Sequence, residues 1–226
     1  MAIKRFFFLV LTVALFYCCS GGHKKVKSVQ NQDILVLKTD STYLFNGKNL
    51  DGWEITNFGP QGPVYISGNE IILGMGDGCT GITWKKPFPE TDYKVALEAR
   101  RVSGNDFFCG MTFPVGKDPC TLIVGGWGGT TVGLSSIDGM DASENETTSL
   151  KSFDTDRWYR ICLIVREDSI KALIDDVVVV NFKRGAKKLS IRPEVDLSRP
   201  FGIASWNTTA ALRNIRVEKI SNKQSI

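Results

Sequence analysis

The sequence predicts an all-β sandwich or jelly roll. Three observations carry this: apolar–polar alternation in several segments, glycine, asparagine and aspartate between them, and no long stretch of helical period. About 180 residues remain after an N-terminal targeting segment and a tether, enough for one core of that kind. Asn69 marks a turn between Val64–Ser67 and Glu70–Leu73. Residues 92–101 alternate, with Tyr93, Val95, Leu97 and Ala99 on one face and Lys94, Glu98 and Arg100 on the other. Residues 107–115, 121–124 and 131–136 read as strands. Residues 158–166 turn Tyr159, Ile161, Leu163 and Val165 inward. Ile170, Ala172 and Ile174 lead into a turn at Asp175-Asp176 and back along 177–182, which makes a hairpin. Residues 184–195 show no strand pattern and fit a short helical turn or a loop. No internal repeat is evident.

The N-terminus has the layout of a secretory signal. Lys4 and Arg5 precede an apolar run over 6–17, which ends at Cys18-Cys19-Ser20. That run is shorter than the ~20 residues a bilayer span needs. A cysteine directly after it resembles a bacterial lipoprotein signal, which implies lipidation at Cys18, export, and a membrane contact through the lipid anchor alone. The expected layout is a signal over 1–19, a polar tether over 20–40, the domain over 41–221 and a tail over 222–226. The formal charge of +4 belongs to the leader. Residues 1–28 hold Lys4, Arg5, Lys24, Lys25 and Lys27 and no acid, so the remainder carries 23 basic against 24 acidic residues. That balance argues against a nucleic-acid partner. The one histidine, His23, lies in the tether, so the domain has no imidazole for acid–base work or metal ligation. Cys79, Cys109, Cys120 and Cys162 could form two disulfides in any of three connectivities, or remain thiols.

Residues 105–149 hold the candidate site. Gly125, Gly126, Gly128 and Gly129 bracket Trp127, and Asp138, Asp141, Glu144 and Glu146 follow. Glycine weakens a strand unless a bend or a close-approaching ligand needs the missing side chain. A flat aromatic on bare backbone beside carboxylates suits a sugar, with its apolar C–H faces and many hydroxyls. The alternative is a bent strand with Trp127 in the core and a solvated loop after it. Trp206 is a second candidate for sugar stacking, whereas Trp53, Trp84 and Trp158 suit a core.

Two motifs bound the domain: Leu44-Phe45-Asn46-Gly47-Lys48-Asn49-Leu50-Asp51-Gly52-Trp53 at the start and Leu212-Arg213-Asn214-Ile215-Arg216-Val217 at the end. With Asp156-Arg157-Trp158-Tyr159-Arg160 between them, the chain resembles the DUF1080 family, also called the 3-keto-disaccharide hydrolase or 3-keto-glucoside lyase/hydratase domain. The resemblance covers about 41–220. It implies a concanavalin A-like jelly roll, with Phe45 and Trp53 sealing the core where the termini pair and Ile215 and Val217 inward. It also implies action on 3-keto-glycosides. Such a site needs a general base for the C2 proton, a group to hold the enolate oxygen, and an acid for the leaving group.

With no histidine in the domain, Asp106 is the expected base, since partial burial between Asn105 and two phenylalanines would raise its pKa. Its alternative fate is a turn aspartate bonded to its own backbone. Asn105, Phe108, Trp127, Trp206 and Asn207 are the expected sugar contacts. Asp138, Asp141 and Glu144 are the expected oxygen ligands of a divalent cation, and otherwise a solvated loop. The Glu-x-Gln and His-Gly of many members are absent here, their places taken by residues 122–127 and by Trp206-Asn207. Two further readings therefore stand beside the enzyme: a carbohydrate-binding jelly roll without chemistry, and a laminin G-like interaction module.

Overall fold

Alternating segments pair here as two facing sheets. The structure, a computed structural model, describes residues 41–221. The expected signal, the Cys18 lipidation site, the tether with His23 and the tail lie outside the described residues. In chain order the strands are β1 (Ser41–Tyr43), β2 (Trp53–Ile55), β3 (Val64–Ser67), β4 (Glu70–Leu73), β5 (Cys79–Trp84), β6 (Tyr93–Gly104), β7 (Cys109–Val115) and β8 (Asp118–Gly126). Then come β9 (Thr131–Ser135), β10 (Ser149–Leu150), β11 (Tyr159–Val165), β12 (Ser169–Ile174), β13 (Val177–Lys183), a 3-10 helix (Pro193–Ser198), β14 (Phe201–Trp206) and β15 (Thr208–Lys219). The first sheet is ordered β13-β12-β11-β6-β15-β4-β3, with β1 also on β15, and the second β10-β9-β8-β7-β14-β5-β2. Every pairing in both is antiparallel. This is the jelly-roll sandwich that the sequence predicts.

The core lies between the sheets. The first sheet contributes Tyr93, Val95, Leu97 and Ala99 from β6 and Tyr159, Ile161, Leu163 and Val165 from β11. Facing them are Met111 and Phe113 of β7, Leu122 and Val124 of β8, and Phe201 and Ile203 of β14. Two hairpins close as expected. Gly68-Asn69 has φ of 58° and 65°, and Asp175-Asp176 has 51° and 66°, the paired left-handed positions of a tight type I′ turn. The termini also meet as expected: β1 pairs with β15, Phe45 and Trp53 are buried, and the Trp53 indole N–H donates to the Leu44 carbonyl at 2.7 Å. Ile215 is buried and Val217 packs on the core from a partly buried position.

Three features depart from expectation or resolve it. Trp158 is no core residue: it lies half-buried beside Arg100 and Arg213, whose guanidinium carbons stand 4.9 and 4.0 Å from its ring centre. All four cysteines of the described residues are free thiols, and Cys79, Cys109 and Cys120 are buried. The stretch before β14 is tertiary in origin. Ser136 and Ser190 exchange two backbone hydrogen bonds, Ile137 bridges Leu189, and the 3-10 helix then settles on the outer face of the second sheet. There the Thr83 hydroxyl donates to the Leu197 carbonyl at 3.0 Å. Gly202 is needed under this helix, since a Cβ at that position would lie 2.6 Å from the Ser198 carbonyl oxygen.

Candidate functional site

The strands that send Leu122, Val124, Leu134 and Ile203 into the core turn their intervening side chains to the opposite face of the second sheet. On that face Thr121, Ile123, Ser135, Cys79 and Trp206 line a pocket together with Asp106, Phe107, Trp127, Arg192, Glu194 and Val195. Its volume is about 170 Å³. A cavity of about 150 Å³ holds one benzene ring, so this one suits a single six-membered ring. Phe107, Ile123, Val195 and Cys79 form an apolar cluster under it, and Trp206 packs on Phe107 with ring centres 6.4 Å apart.

Several expected residues converge here. Asp106 lines the pocket and is held from several sides. Its N–H donates to Thr208 Oγ1 at 3.0 Å, and its carbonyl accepts from Arg101 at 3.2 Å. Its Oδ1 accepts the Phe107 N–H at 2.7 Å, so the turn-aspartate alternative is met in part while the carboxylate still faces the cavity. Trp127 is 42% exposed with φ of +47°, at the tip of the β8–β9 turn. It is a pocket wall and not a core residue. Trp206 is the second aromatic wall.

Others do not converge. Phe108 is fully buried between the sheets against Phe153 and Tyr159, so it cannot touch a sugar; Phe107 takes the place expected for it. The reason is a slip in strand phase. Cys109, Met111, Phe113 and Val115 all belong to the core, and strict alternation would have turned Phe107 inward and Phe108 outward. Asn105 is exposed and does not line the pocket. Asn207 pins the loop before β5, where its Oδ1 accepts the Gly78 N–H at 2.7 Å and its own N–H donates to the Gly78 carbonyl at 3.1 Å.

The expected cation loop is a folded structural loop. Asp138 Oδ1 caps the Lys188 N–H at 2.9 Å. Asp141 Oδ1 accepts the hydroxyls of Ser135 and Ser136 at 3.0 and 3.1 Å, and its other oxygen pairs with Arg192. Glu144 is exposed. Among the described residues no three His, Cys, Asp or Glu side chains are grouped so as to hold a metal ion. Asp138 and Asp141 meet donors from residues 188 and 192, and Asp141 the nearby serine hydroxyls as well, instead of one another.

Two groups that sequence reading missed complete the site. Arg101 is buried behind the β8–β9 turn and donates to the carbonyls of Gly129 at 3.0 Å, Asp106 at 3.2 Å, Gly125 at 3.3 Å and Phe153 at 3.4 Å. Burial lowers its pKa from the usual arginine value, and the nearby Asp106 charge opposes this. Gly125, at φ +79°, makes room for it, since a Cβ there would stand 2.7 Å from Arg101 Nη2. The four glycines thus serve a sharp turn over a buried guanidinium as much as a ligand. The other missed group is Arg192 with Glu194. Arg192 Nη2 and Nε donate to the two carboxylate oxygens of Glu194 at 2.7 and 3.3 Å. That fork holds Glu194 below the usual carboxylate range and Arg192 above the usual arginine value. Cys79, pushed up to about 12 by burial and by the Glu194 charge, is a neutral thiol and not a nucleophile. Arg101 continues the inward phase of Tyr93, Val95, Leu97 and Ala99 along β6, which was a usable signal, whereas Arg192 and Glu194 lie in a segment with no period.

An antiparallel sandwich with a ring-sized pocket of two tryptophans, carboxylates and hydroxyls defines a carbohydrate-related jelly roll. Residues 40–218 match the family model of the 3-keto-alpha-glucoside-1,2-lyase-like domain, and the chain belongs to that family. No curated protein matches it. In fold it is similar to the carbohydrate-binding module CBM66 from Bacillus subtilis, at 18% identity over 74% of this chain and 95% of that one, with a TM-score of 0.50. It is similar to the Crh5 transglycosylase in complex with NAG, at 14% identity over 81% and 84%, TM-score 0.55. A Bacillus subtilis protein of unknown function with a galectin-like fold is similar at 13% identity over 79% and 94%, TM-score 0.57.

Proposed function

We propose that this protein cleaves 3-keto-glycosides by elimination and rehydration, with Asp106 as the base. The observation that carries the reading is Asp106 on the wall of a ring-sized pocket between Trp127 and Trp206. Family membership supports it. A ketone at C3 acidifies the C2 proton. Asp106 takes that proton and the C–H electrons form the enolate. As the C3 carbonyl re-forms, C1=C2 forms and the C1–O bond breaks, releasing the aglycone with a proton. Water then adds its hydroxyl to C1 and a proton to C2, which leaves the 3-keto sugar.

Release of aglycone from a 3-keto-α-glucoside is the assay. Asp106→Asn should lose about two to four orders of magnitude in rate, and wild-type turnover in that variant would remove Asp106 from the mechanism. A chelator arm tests whether turnover needs a divalent cation. The second reading, a sugar-binding module without chemistry, is favoured by Asp106 Oδ1 being engaged with its own backbone. Ligand binding with no turnover on any keto-glycoside would select it. In either reading the domain is exported and held to the envelope by lipid at Cys18. Mass spectrometry of the mature N-terminus tests this, and an unmodified residue beyond Cys19 would exclude the anchor.

A further inference from the structure

The charge of the pocket wall bears on which sugars enter. Asp106 and Glu194 are carboxylates of the lining and Arg192 is its one cation. Arg192 is already engaged twice over, by the fork to Glu194 and by Asp141 behind it. Arginine has five N–H donors, and three of these serve the two carboxylates. The cluster of Arg192, Glu194 and Asp141 therefore carries a net negative charge, whereas the charge of Asp106 is offset by the buried Arg101 guanidinium beside it. Lysines nearby do not alter this: Lys187 pairs with Glu146, and Lys188 is exposed and outside the lining. We propose that the pocket selects a single uncharged or amino-bearing sugar ring and excludes rings that carry a carboxylate.

The inference rests on the carbohydrate reading of this same site, and it agrees with the chemistry proposed there. Proton abstraction moves one negative charge from Asp106 to the enolate oxygen and leaves the total in the pocket unchanged. A uronate adds one more beside Glu194, and because Arg192 and Glu194 are exposed the repulsion is strongest at low salt. Glu194 is then the specificity-determining residue. It neutralises the one cation that would otherwise receive a carboxylate in a bidentate fork.

Binding of methyl α-glucoside, its 2-amino counterpart and methyl α-glucuronide to the full chain, by calorimetry at low and moderate salt, is the test. The glucoside and the amino sugar should each bind about tenfold or more tightly than the glucuronide. Glu194→Gln should narrow that gap to about threefold or less, chiefly by improving glucuronide binding. Glucuronide binding equal to or tighter than the glucoside in the wild type would overturn the proposal, as would no binding of all three. The wild-type order stands whether or not the variant folds, and a thermal melt of the variant accompanies its titration. Failure of the catalytic reading appears separately, as no turnover with the binding order intact.

Discussion

At the scale of single residues, Phe108 and Trp127 make opposite cases. Phe108 is wholly inside, in edge contact with Phe153 at 5.1 Å between ring centres, whereas Trp127 is 42% exposed on the pocket wall. Phe108→Ala should therefore cost about 3–5 kcal/mol, a fall in melting temperature of roughly 6–20 °C at about 2–4 °C per kcal/mol for a domain of this size. Trp127→Ala should leave the melting temperature within about 2 °C. It should weaken sugar binding about fivefold, since an aromatic face contributes about 1 kcal/mol. Calorimetry of both variants, with and without sugar, checks the pair. A large stability loss at Trp127 with unchanged binding would make it a core residue after all.

At the scale of elements, the β8–β9 turn stands over Arg101. Its guanidinium reaches four carbonyls from three segments, a geometry that suits a planar fork and not a point charge. Removing it would leave buried carbonyls without donors, each costing about 1–3 kcal/mol. Arg101→Met should destabilise the domain by about 2–4 kcal/mol. Arg101→Lys should recover less than half of that, and amide exchange at Gly129 and Thr130, which both donate to the Gly126 carbonyl, should quicken in both. Urea denaturation supplies the energies. Full rescue by lysine would show that charge alone, and not the fork, holds the turn.

At the scale of the whole molecule, the two-sheet core does without covalent staples. Cys109 and Cys120 are fully buried, and burial pushes both thiols up to about 12, so they are protonated and shielded at neutral pH. Cys162 is partly exposed, and burial raises its pKa as well. A domain of about 180 residues buries enough surface to need no disulfide. Reductant should leave the melting temperature unchanged. A thiol reagent should reach Cys79, Cys109 and Cys120 only after unfolding. A drop of more than about 5 °C on reduction, near 1–2 kcal/mol at this size, would reveal a bridge.

Much of this was legible in the amino-acid order. The alternation along β6 and β11 determined which side chains enter the core, because a strand's two faces repeat every second residue whatever lies across from them. Asn69 and Asp175-Asp176 determined two hairpins, because few residues accept the left-handed turn positions. Three of the candidates do line the pocket: Trp127, chosen for its flanking glycines, Trp206, chosen as an aromatic beside Asn207, and Asp106, chosen for want of a histidine. The rest depends on contacts between distant segments. Phase is local, so a slip between Phe108 and Cys109, which both point inward, exchanges core and pocket residues without changing the sequence pattern. The acidic loop looked like a ligand set, yet the donors that engage Asp138 and Asp141 come from Lys188 and Arg192, about 50 residues on. Those two residues lie in a segment with no period of its own, and its position on the second sheet is decided by packing alone. That packing places Arg192 and Glu194 in the same pocket lining as Asp106.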